Sequence, residues 1–431
     1  MIDTLFALSS GRLPAGVAVL RISGPEAAAA VLALAGVLPP PRVARYGALS
    51  DPRTGEMLDR GLILFFPGPA SATGEDVAEL HLHGGRAVVA AVLRALSALP
   101  GLRPAEAGEF TRRAHANGKL DLAEVEGLAD LVAAESEAQR KQALALASGA
   151  LSRRVEGWRV GLVSALALIE AGIDFSDESD VSGEVTTDAV ARLARLKDEL
   201  LAALTDAARG ERVRDGLVVT ISGPPNAGKS TLLNRLAGRE AAIVSALPGT
   251  TRDVLEVHLE LAGQAVTLLD TAGLRETSDL VEAEGVRRAL ARAEGADVVL
   301  WLCDAGSEPP PALTRAVKVR TKIDRDAAIP EGWIGISAAT GAGVDALVGR
   351  LEQEADRLGG REPALITRER QRRALEVATL QLERALGDFG GHEELRAEDV
   401  RLAVRALDQL IGRVDVEDVL DALFSTFCIG K

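Results

Sequence analysis

A chain of 431 residues is longer than one ordinary hydrophobic core encloses, and at roughly 100 to 200 residues per domain it divides into two to four units. Apolar residues at 47% and charged residues at 26% describe a folded protein and exclude a wholly disordered or collagenous one. With 49 basic against 63 acidic residues the net charge is −14, so any nucleic-acid contact is local or shared with a partner.

The start, MIDTLFALSSGRLPAGVAVL, carries Asp3 and no basic n-region, and no run of about 18 uninterrupted apolar residues occurs, so neither secretion nor a membrane span is expected. Strand-like alternation follows at 16–23, 61–68 and 76–85, divided by Gly and Pro turns, with helical character after the strands, at 25–38 and 86–99. Residues 1–118 therefore read as a small α+β domain. From 119 the period becomes 3.6: Leu151, Val155, Trp158, Leu162, Leu166 and Ile169 form one stripe of an amphipathic helix. A second helical pattern runs through Val190, Leu193, Leu200 and Leu204, after a Ser/Asp/Gly-rich break at 176–183, and makes 119–212 an all-α segment. The same character returns over 357–431, with Val400, Val404, Leu407 and Ile411, then Val416, Leu420 and Leu423, so the two helical blocks are expected to pack together. Between them, 213–356 alternates short apolar runs at 216–223, 265–273 and 296–304 with helical pieces, the pattern of a mostly parallel sheet with crossover helices. The expected architecture is multidomain: an α+β N-terminal domain, an all-α helical domain, and an α/β P-loop domain inserted in it.

Gly223-Pro-Pro-Asn226-Ala227-Gly228-Lys229-Ser230-Thr231 follows an apolar strand and opens a helix, the context of a phosphate-binding P-loop. Its glycines let backbone N–H groups turn toward phosphate, Lys229 supplies charge to the β/γ oxygens, and the Ser230 hydroxyl can ligate Mg²⁺. Asn226 could help hold a monovalent cation. Thr250-Thr251-Arg252-Asp253 lies past a Pro-Gly break, where a mobile loop brings Thr251 to magnesium. Asp270-Thr271-Ala272-Gly273 ends the next strand, placing Asp270 in the outer coordination sphere of that ion and the Gly273 N–H near the γ-phosphate. Thr321-Lys322-Ile-Asp324 ends a later strand, where a carboxylate accepts the N1–H and 2-amino group of guanine, and Ser337-Ala338 closes the base pocket.

In this order the motifs resemble the translation-factor class of GTPases, with two departures. The usual Asn of the base motif is Thr321, which keeps the specificity carboxylate and loses an amide brace. The stretch from Asp304 to Thr321 is short and contains Pro309-Pro310-Pro311, so a helix common in such domains is expected to shrink to a turn. Leu274 stands where Ras-type proteins place a water-orienting glutamine, which leaves that task to another group, with the acidic segment 276–284 close in sequence.

Three further stretches, AVLRISGP at 18–25, EDVAELHLHGG at 75–85 and GEFTRRAHANGKLDLAEVE at 108–126, together with the terminal Phe427-Cys428-Ile429-Gly430-Lys431, resemble the MnmE/TrmE family of tRNA modification GTPases over essentially the whole length. The resemblance implies a homodimer formed through N-terminal domains that bind a tetrahydrofolate derivative, in the 5-formyl or 5,10-methylene form. It implies a K⁺-stimulated GTPase whose G domains move on hydrolysis. It further implies an FAD-containing partner subunit, MnmG, joined in a heterotetramer that builds a (carboxymethyl)aminomethyl group at C5 of the wobble uridine of tRNA. By motif, Arg21, Glu79, Lys119 and Lys431 would contact folate, and Cys428 would be the tail thiol proposed for chemistry. Asn226, Ser245, Leu247 and Thr250 would hold K⁺, Ser230 and Thr251 Mg²⁺, and Glu282 would orient or deprotonate the attacking water.

Only seven of the 49 basic residues are lysine, and four of those, Lys119, Lys229, Lys322 and Lys431, fall in these sites, where a compact ammonium suits a ligand. Two cysteines are too few for a disulfide framework and fit a reducing, cytoplasmic location. Cys303 reads as an inert core thiol and Trp158 as packing. His81 and His83 share a strand face but have no third ligand, so a metal site there is not expected. The run Arg368, Arg370, Arg372, Arg373 reads as a solvated helix face before an RNA contact. Two rival functions use the same central motifs: a nucleotide-switched GTPase in ribosome assembly or signalling, which would not need the N-terminal signatures, and a P-loop ATPase or kinase, which Asp324 disfavours.

Overall fold

The computed structural model describes residues 3–174, 179–239, 256–270, 295–304, 307–313, 315–387, 392–414, 417–427 and 429–430. The chain folds as two compact units, one formed by residues 1–129 with 411–431 and the other by residues 130–410.

In the first unit, β1 (Thr4–Leu8), β2 (Ala15–Ser23), β3 (Arg45–Ser50), β4 (Met57–Phe66), β5 (Val77–Gly84) and β6 (Leu102–Pro104) form a six-stranded sheet in the order β3-β4-β5-β2-β1-β6. All neighbours are antiparallel except β1 and β6. Period-2 alternation decides the faces: Ala18, Leu20 and Ile22 of β2 and Ala78, Leu80 and Leu82 of β5 point inward. The same face is covered by α1 (Ala27–Ala35) through Ala30, Val31 and Leu34, and by α2 (Arg86–Ser97) through Val89, Val92 and Leu96. Each fully buried leucine here is worth about 1.5–3 kcal/mol. Only β2, β4 and β5 are visible as alternation in the sequence. From β4 the chain reaches β5 through the loop 67–76 with no helix between them, so helical character does not follow every strand.

Helices α3 (Glu109–Ala116) and α4 (Leu122–Ala133) follow, and the terminal helix Glu417–Ser425 returns to them. Phe424 and Phe427 are buried against Val125, with Leu120 and Leu128 alongside. Position 108 must be glycine: its φ is 67°, and a Cβ there would lie 2.6 Å from the Phe424 carbonyl oxygen. The tail is then stitched down, Ile429 bridging Ala107 and the Ser9 hydroxyl donating to the Gly430 carbonyl at 2.8 Å. Residues 411–431 belong to the first compact unit, where this aromatic pair finds its apolar partners.

In the second unit, α5 (Glu137–Ala147) leads to α6 (Ala150–Asp174) and α7 (Ser179–Asp215), which pack on each other. The expected stripe of α6 is found with one replacement, Ala165 buried where Leu166 was expected. In α7 alanines again carry the inward face, Ala189, Leu193, Leu200 and Ala207 being fully covered. Its first turn begins at Ser179, inside the expected break.

The α/β part contains β7 (Leu217–Ser222), α8 (Lys229–Ala237), β8 (Glu256–Leu261), β9 (Gln264–Asp270), β10 (Val298–Cys303), β11 (Val317–Arg320), β12 (Ile334–Gly335) and α9 (Val344–Gly359). Its sheet order is β12-β11-β10-β7-β9-β8, parallel except where β8 runs against β9. Leu217, Val219 and Ile221 of the central strand meet Leu232, Leu233 and Leu236 of α8 and Leu347 and Leu351 of α9 in one core. The segment after β10 holds a single 3-10 turn, Pro311–Leu313, among its described residues, in keeping with the expected trimming. Finally α10 (Glu369–Ala385) and α11 (Glu393–Leu410) pack on each other and on α7 and α6, which joins the two helical blocks.

Candidate functional site

The loop after β7 is shaped by backbone needs. Gly223 has φ 147°, and a Cβ on it would lie 2.1 Å from the Leu302 carbonyl of β10. Asn226 and Gly228 also take positive φ, at 60° and 93°, and the chain then enters α8 at Lys229. The first amides of α8 have no intrahelical partners, and with the helix dipole they suit an anion. Lys229 is 8% exposed, and its ammonium donates to the Gly223 and Pro224 carbonyls at 2.9 and 3.0 Å. Burial lowers its pKa, an effect opposed by the Asp270 carboxylate. Ser230 Oγ donates to Asp270 Oδ2 at 2.9 Å, so the start of α8 and the end of β9 meet on two oxygen donors. A hydroxyl and a carboxylate are the hard oxygens that Mg²⁺ takes, and these residues fit that ion. Ala227 is buried in the core, so it can offer a ligand only its backbone, and Thr231 is exposed one turn into α8.

The segments expected to bind the base come from the ends of β11 and β12. Asp324 is exposed, and the Ser337 hydroxyl holds its carboxyl below the usual carboxylate range. Ser337 itself is fully buried and takes the Ala342 carbonyl with its N–H at 2.8 Å, with Ala338 packed on the core beside it. Lys322, at φ 57°, donates to Asp304 Oδ2 at 2.8 Å, which ties the end of β11 to the end of β10. Thr321 is 3% exposed, and its Oγ1 has no hydrogen-bond partner among the described residues.

In the first unit, Arg21 and Glu79 are register partners on β2 and β5, joined at 2.9 Å from Nη2 to Oε1. The guanidinium lies 5.7 Å from the centre of the Phe110 ring and borders a cavity of about 230 Å³ walled also by Ser9, Thr73, Leu120 and Gly430. A planar aromatic ligand with carboxylates matches a wall that combines a ring, a guanidinium and hydroxyls. Lys119 is not among the residues lining this cavity; its ammonium donates to the Pro69 carbonyl at 3.0 Å.

Beside the cavity, Arg113 meets Asp3 at 2.7 Å and Glu75 at 3.1 Å, while Arg103 pairs with Asp3 and Glu109. Hydrogen bonding to Arg103 keeps the Asp3 carboxyl below its ordinary value, and the arginines outweigh burial to do the same for Glu109. Carboxyls with lowered folded pKa contribute stability above their ordinary values and lose it as pH falls through the lowered ones. Arg103→Ala should therefore depress the melting temperature more at pH 7 than at about pH 3, which lies below the ordinary carboxyl values, so that the unfolded chain has taken up protons there and part of the contribution is gone. An equal depression at the two pH values would show that the pairing is not the source.

Ser245, Leu247, Thr250, Thr251, Thr271, Ala272, Gly273, Glu282, Cys428 and Lys431 lie outside the described residues. Asp304, Thr73 and Phe110 were missed in the sequence; Asp304 had a signal, standing at the end of the strand parallel to the one that carries Lys322. Cys303 is buried and accepts from the Ser307 N–H at 3.3 Å, and Trp158 is 2% exposed with its indole N–H donating to Glu199 at 3.0 Å. His81 pairs with Glu79 at 3.3 Å and His83 with Asp59 at 2.8 Å, and no cluster suited to a metal occurs among the described residues. The arginine run is no free basic patch: Arg368 meets Asp130 at 2.5 Å, Arg370 donates to the Gln409 and Leu410 carbonyls at 3.0 Å, Arg372 meets Glu211 at 3.1 Å, and Arg373 pairs with Glu369. No helix is long and apolar enough to cross a membrane among the described residues.

A family model described as the MnmE helical domain matches residues 122–428, and one described as the GTP-binding protein TrmE N-terminus matches residues 4–119. The chain belongs to the MnmE/TrmE family of tRNA modification GTPases. Within that family, the tRNA modification GTPase MnmE of Azorhizobium caulinodans is 69% identical over 430 residues, spanning 100% of this chain and 99% of its own length. The protein of the same description from Methylobacterium sp. (strain 4-46) is 56% identical over 437 residues, spanning 100% of both chains. Among solved structures, the G domain of the T. maritima FeoB iron transporter matches 32% of this chain and 98% of its own at 25% identity, with a TM-score of 0.24.

Proposed function

We propose that this MnmE/TrmE family member is a K⁺-stimulated GTPase acting with an FAD-containing partner, MnmG, to install a (carboxymethyl)aminomethyl group at C5 of the wobble uridine of tRNA. The one-carbon unit comes from a tetrahydrofolate derivative held in the N-terminal domain, and hydrolysis moves paired G domains of a homodimer. The observation that supports the reading is the pairing of two half-sites on one sheet: Lys229 and the Ser230–Asp270 contact at the ends of β7 and β9 for phosphate and magnesium, and Asp324 and Ser337 past the ends of β11 and β12 for guanine.

Lys229, already neighbour to loop carbonyls, offsets phosphate charge. Ser230 and Thr251 would hold Mg²⁺, which supplies charge neutralisation when bound. Asn226, Ser245, Leu247 and Thr250 would hold K⁺ beside the phosphates, and Glu282 would orient water in place of the missing glutamine. Arg21 would meet a folate carboxylate at the cavity, with Glu79 fixing the guanidinium, and Lys119 and Lys431 would contact the folate as well. Cys428 follows Phe427, which is anchored in the apolar cluster near that cavity, so its thiol is a candidate for the chemistry of the tail.

Mass analysis of the wobble nucleoside tests the whole reading. Cells lacking this chain should accumulate uridine without the C5 aminomethyl-type group, and a Lys229→Ala copy should fail to restore it. An unchanged nucleoside in such cells would contradict the proposal.

A further inference from the structure

We propose that Arg235 is a positioning residue that couples the phosphate half of the nucleotide site to its guanine half; the inference rests on the reading of Asp324 and Ser337 as base-binding groups. Arg235 stands on α8, the helix that opens with Lys229 and Ser230. Its guanidinium reaches three consecutive backbone carbonyls of the loop after Ser337: Nη1 to Ala338 at 3.5 Å and Ala339 at 3.2 Å, and Nη2 to Thr340 at 3.2 Å. Space for it comes from Gly341, at φ 92°, where a Cβ would lie 2.1 Å from Nη2. Just past the end of α8, Arg239 meets Asp345 at the start of α9 at 2.8 Å, so two nearby arginines hold the two ends of this segment.

The loop passes that restraint to the base-binding carboxylate. The Thr340 N–H donates to Ser337 Oγ at 3.2 Å, and the Ser337 hydroxyl is the leading cause of the lowered pKa of Asp324. A planar fork that meets three carbonyls fixes the loop in a way one point charge cannot. No competing tie is offered by Thr321, whose buried Oγ1 has no hydrogen-bond partner among the described residues. A longer amide at 321 would reach farther than this hydroxyl and so offer a second restraint beside Arg235.

The test is calorimetric titration of the full chain with GDP and with IDP, which lacks the 2-amino group that Asp324 reads. Arg235→Ala should weaken GDP about tenfold, the worth of one charge-assisted hydrogen-bonding group. It should weaken IDP less, so the preference for GDP shrinks. Arg235→Lys should restore part of the loss, and Thr321→Asn should make the chain less sensitive to Arg235→Ala. Equal weakening of both nucleotides, or the same loss with Thr321 and with Asn at 321, would mark a merely structural residue and overturn the inference. An unsubstituted chain that binds no GDP would overturn instead the guanine reading beneath it.

Discussion

Asp324→Asn is expected to turn a guanine site into a xanthine site. In the proposed site the carboxylate of Asp324 would accept two hydrogen bonds, from N1–H and the 2-amino group, and the Ser337 hydroxyl holds that carboxyl below the usual range. An amide presents one acceptor and one donor, so its NH₂ opposes the 2-amino group and matches the 2-oxo group of xanthine. Hydrogen bonds to a charged group are worth about 1.5–3 kcal/mol each, so losing this pair should weaken GTP on the order of a thousandfold. Competition titration with GTP and XTP reads the exchange. A variant that still prefers GTP would remove Asp324 from the site.

Gly223→Ala should have the largest effect on the G domain itself. The residue takes φ 147°, and the added Cβ would lie 2.1 Å from the Leu302 carbonyl. That carbonyl cannot retreat cheaply, because β10 is held between β7 and β11 by ladders on both sides. Clash and backbone strain together should cost about 3 kcal/mol or more, with loss of nucleotide binding. Gly228→Ala is the control: its φ is 93°, but nothing lies within 4 Å of its Cβ position, so strain acts alone. Thermal unfolding and GDP titration of the two variants should rank Gly223→Ala as clearly the more damaged; equal damage would show that the contact with β10 is irrelevant.

Much of the fold was legible because period and punctuation agree at the elements that matter. A short apolar run at 216–223 with a glycine-rich turn and a helical run after it leaves few alternatives to β7, the P-loop and α8. Alternation failed at β1, where Leu5, Phe6 and Ala7 are all buried, so both faces of the strand read as apolar. It failed at β6 because three residues carry no period. The helical stripes drifted where alanine was the buried residue: in an Ala-rich chain, Ala165, Ala189 and Ala207 look no different from exposed alanines. The return of 411–431 to the first unit depends on Phe424 and Phe427 finding Val125 some 300 positions earlier, a long-range pairing that no local pattern encodes. At the site, Lys229, Ser230 and Asp270 were found through their motif, and Asp324 through its own. Arg235 was hidden, since an arginine on an exposed helix position looks like solvation until its three carbonyl partners are in view.

The proposed function requires that guanosine triphosphate be broken down at the P-loop with a monovalent cation at Asn226. Phosphate release from GTP by the full chain in KCl and in NaCl, with ATP in parallel, tests it most directly. GTP turnover should be several-fold faster in K⁺ than in Na⁺, with negligible release from ATP. Equal release from the two nucleotides, or no GTP turnover in either salt, would contradict it.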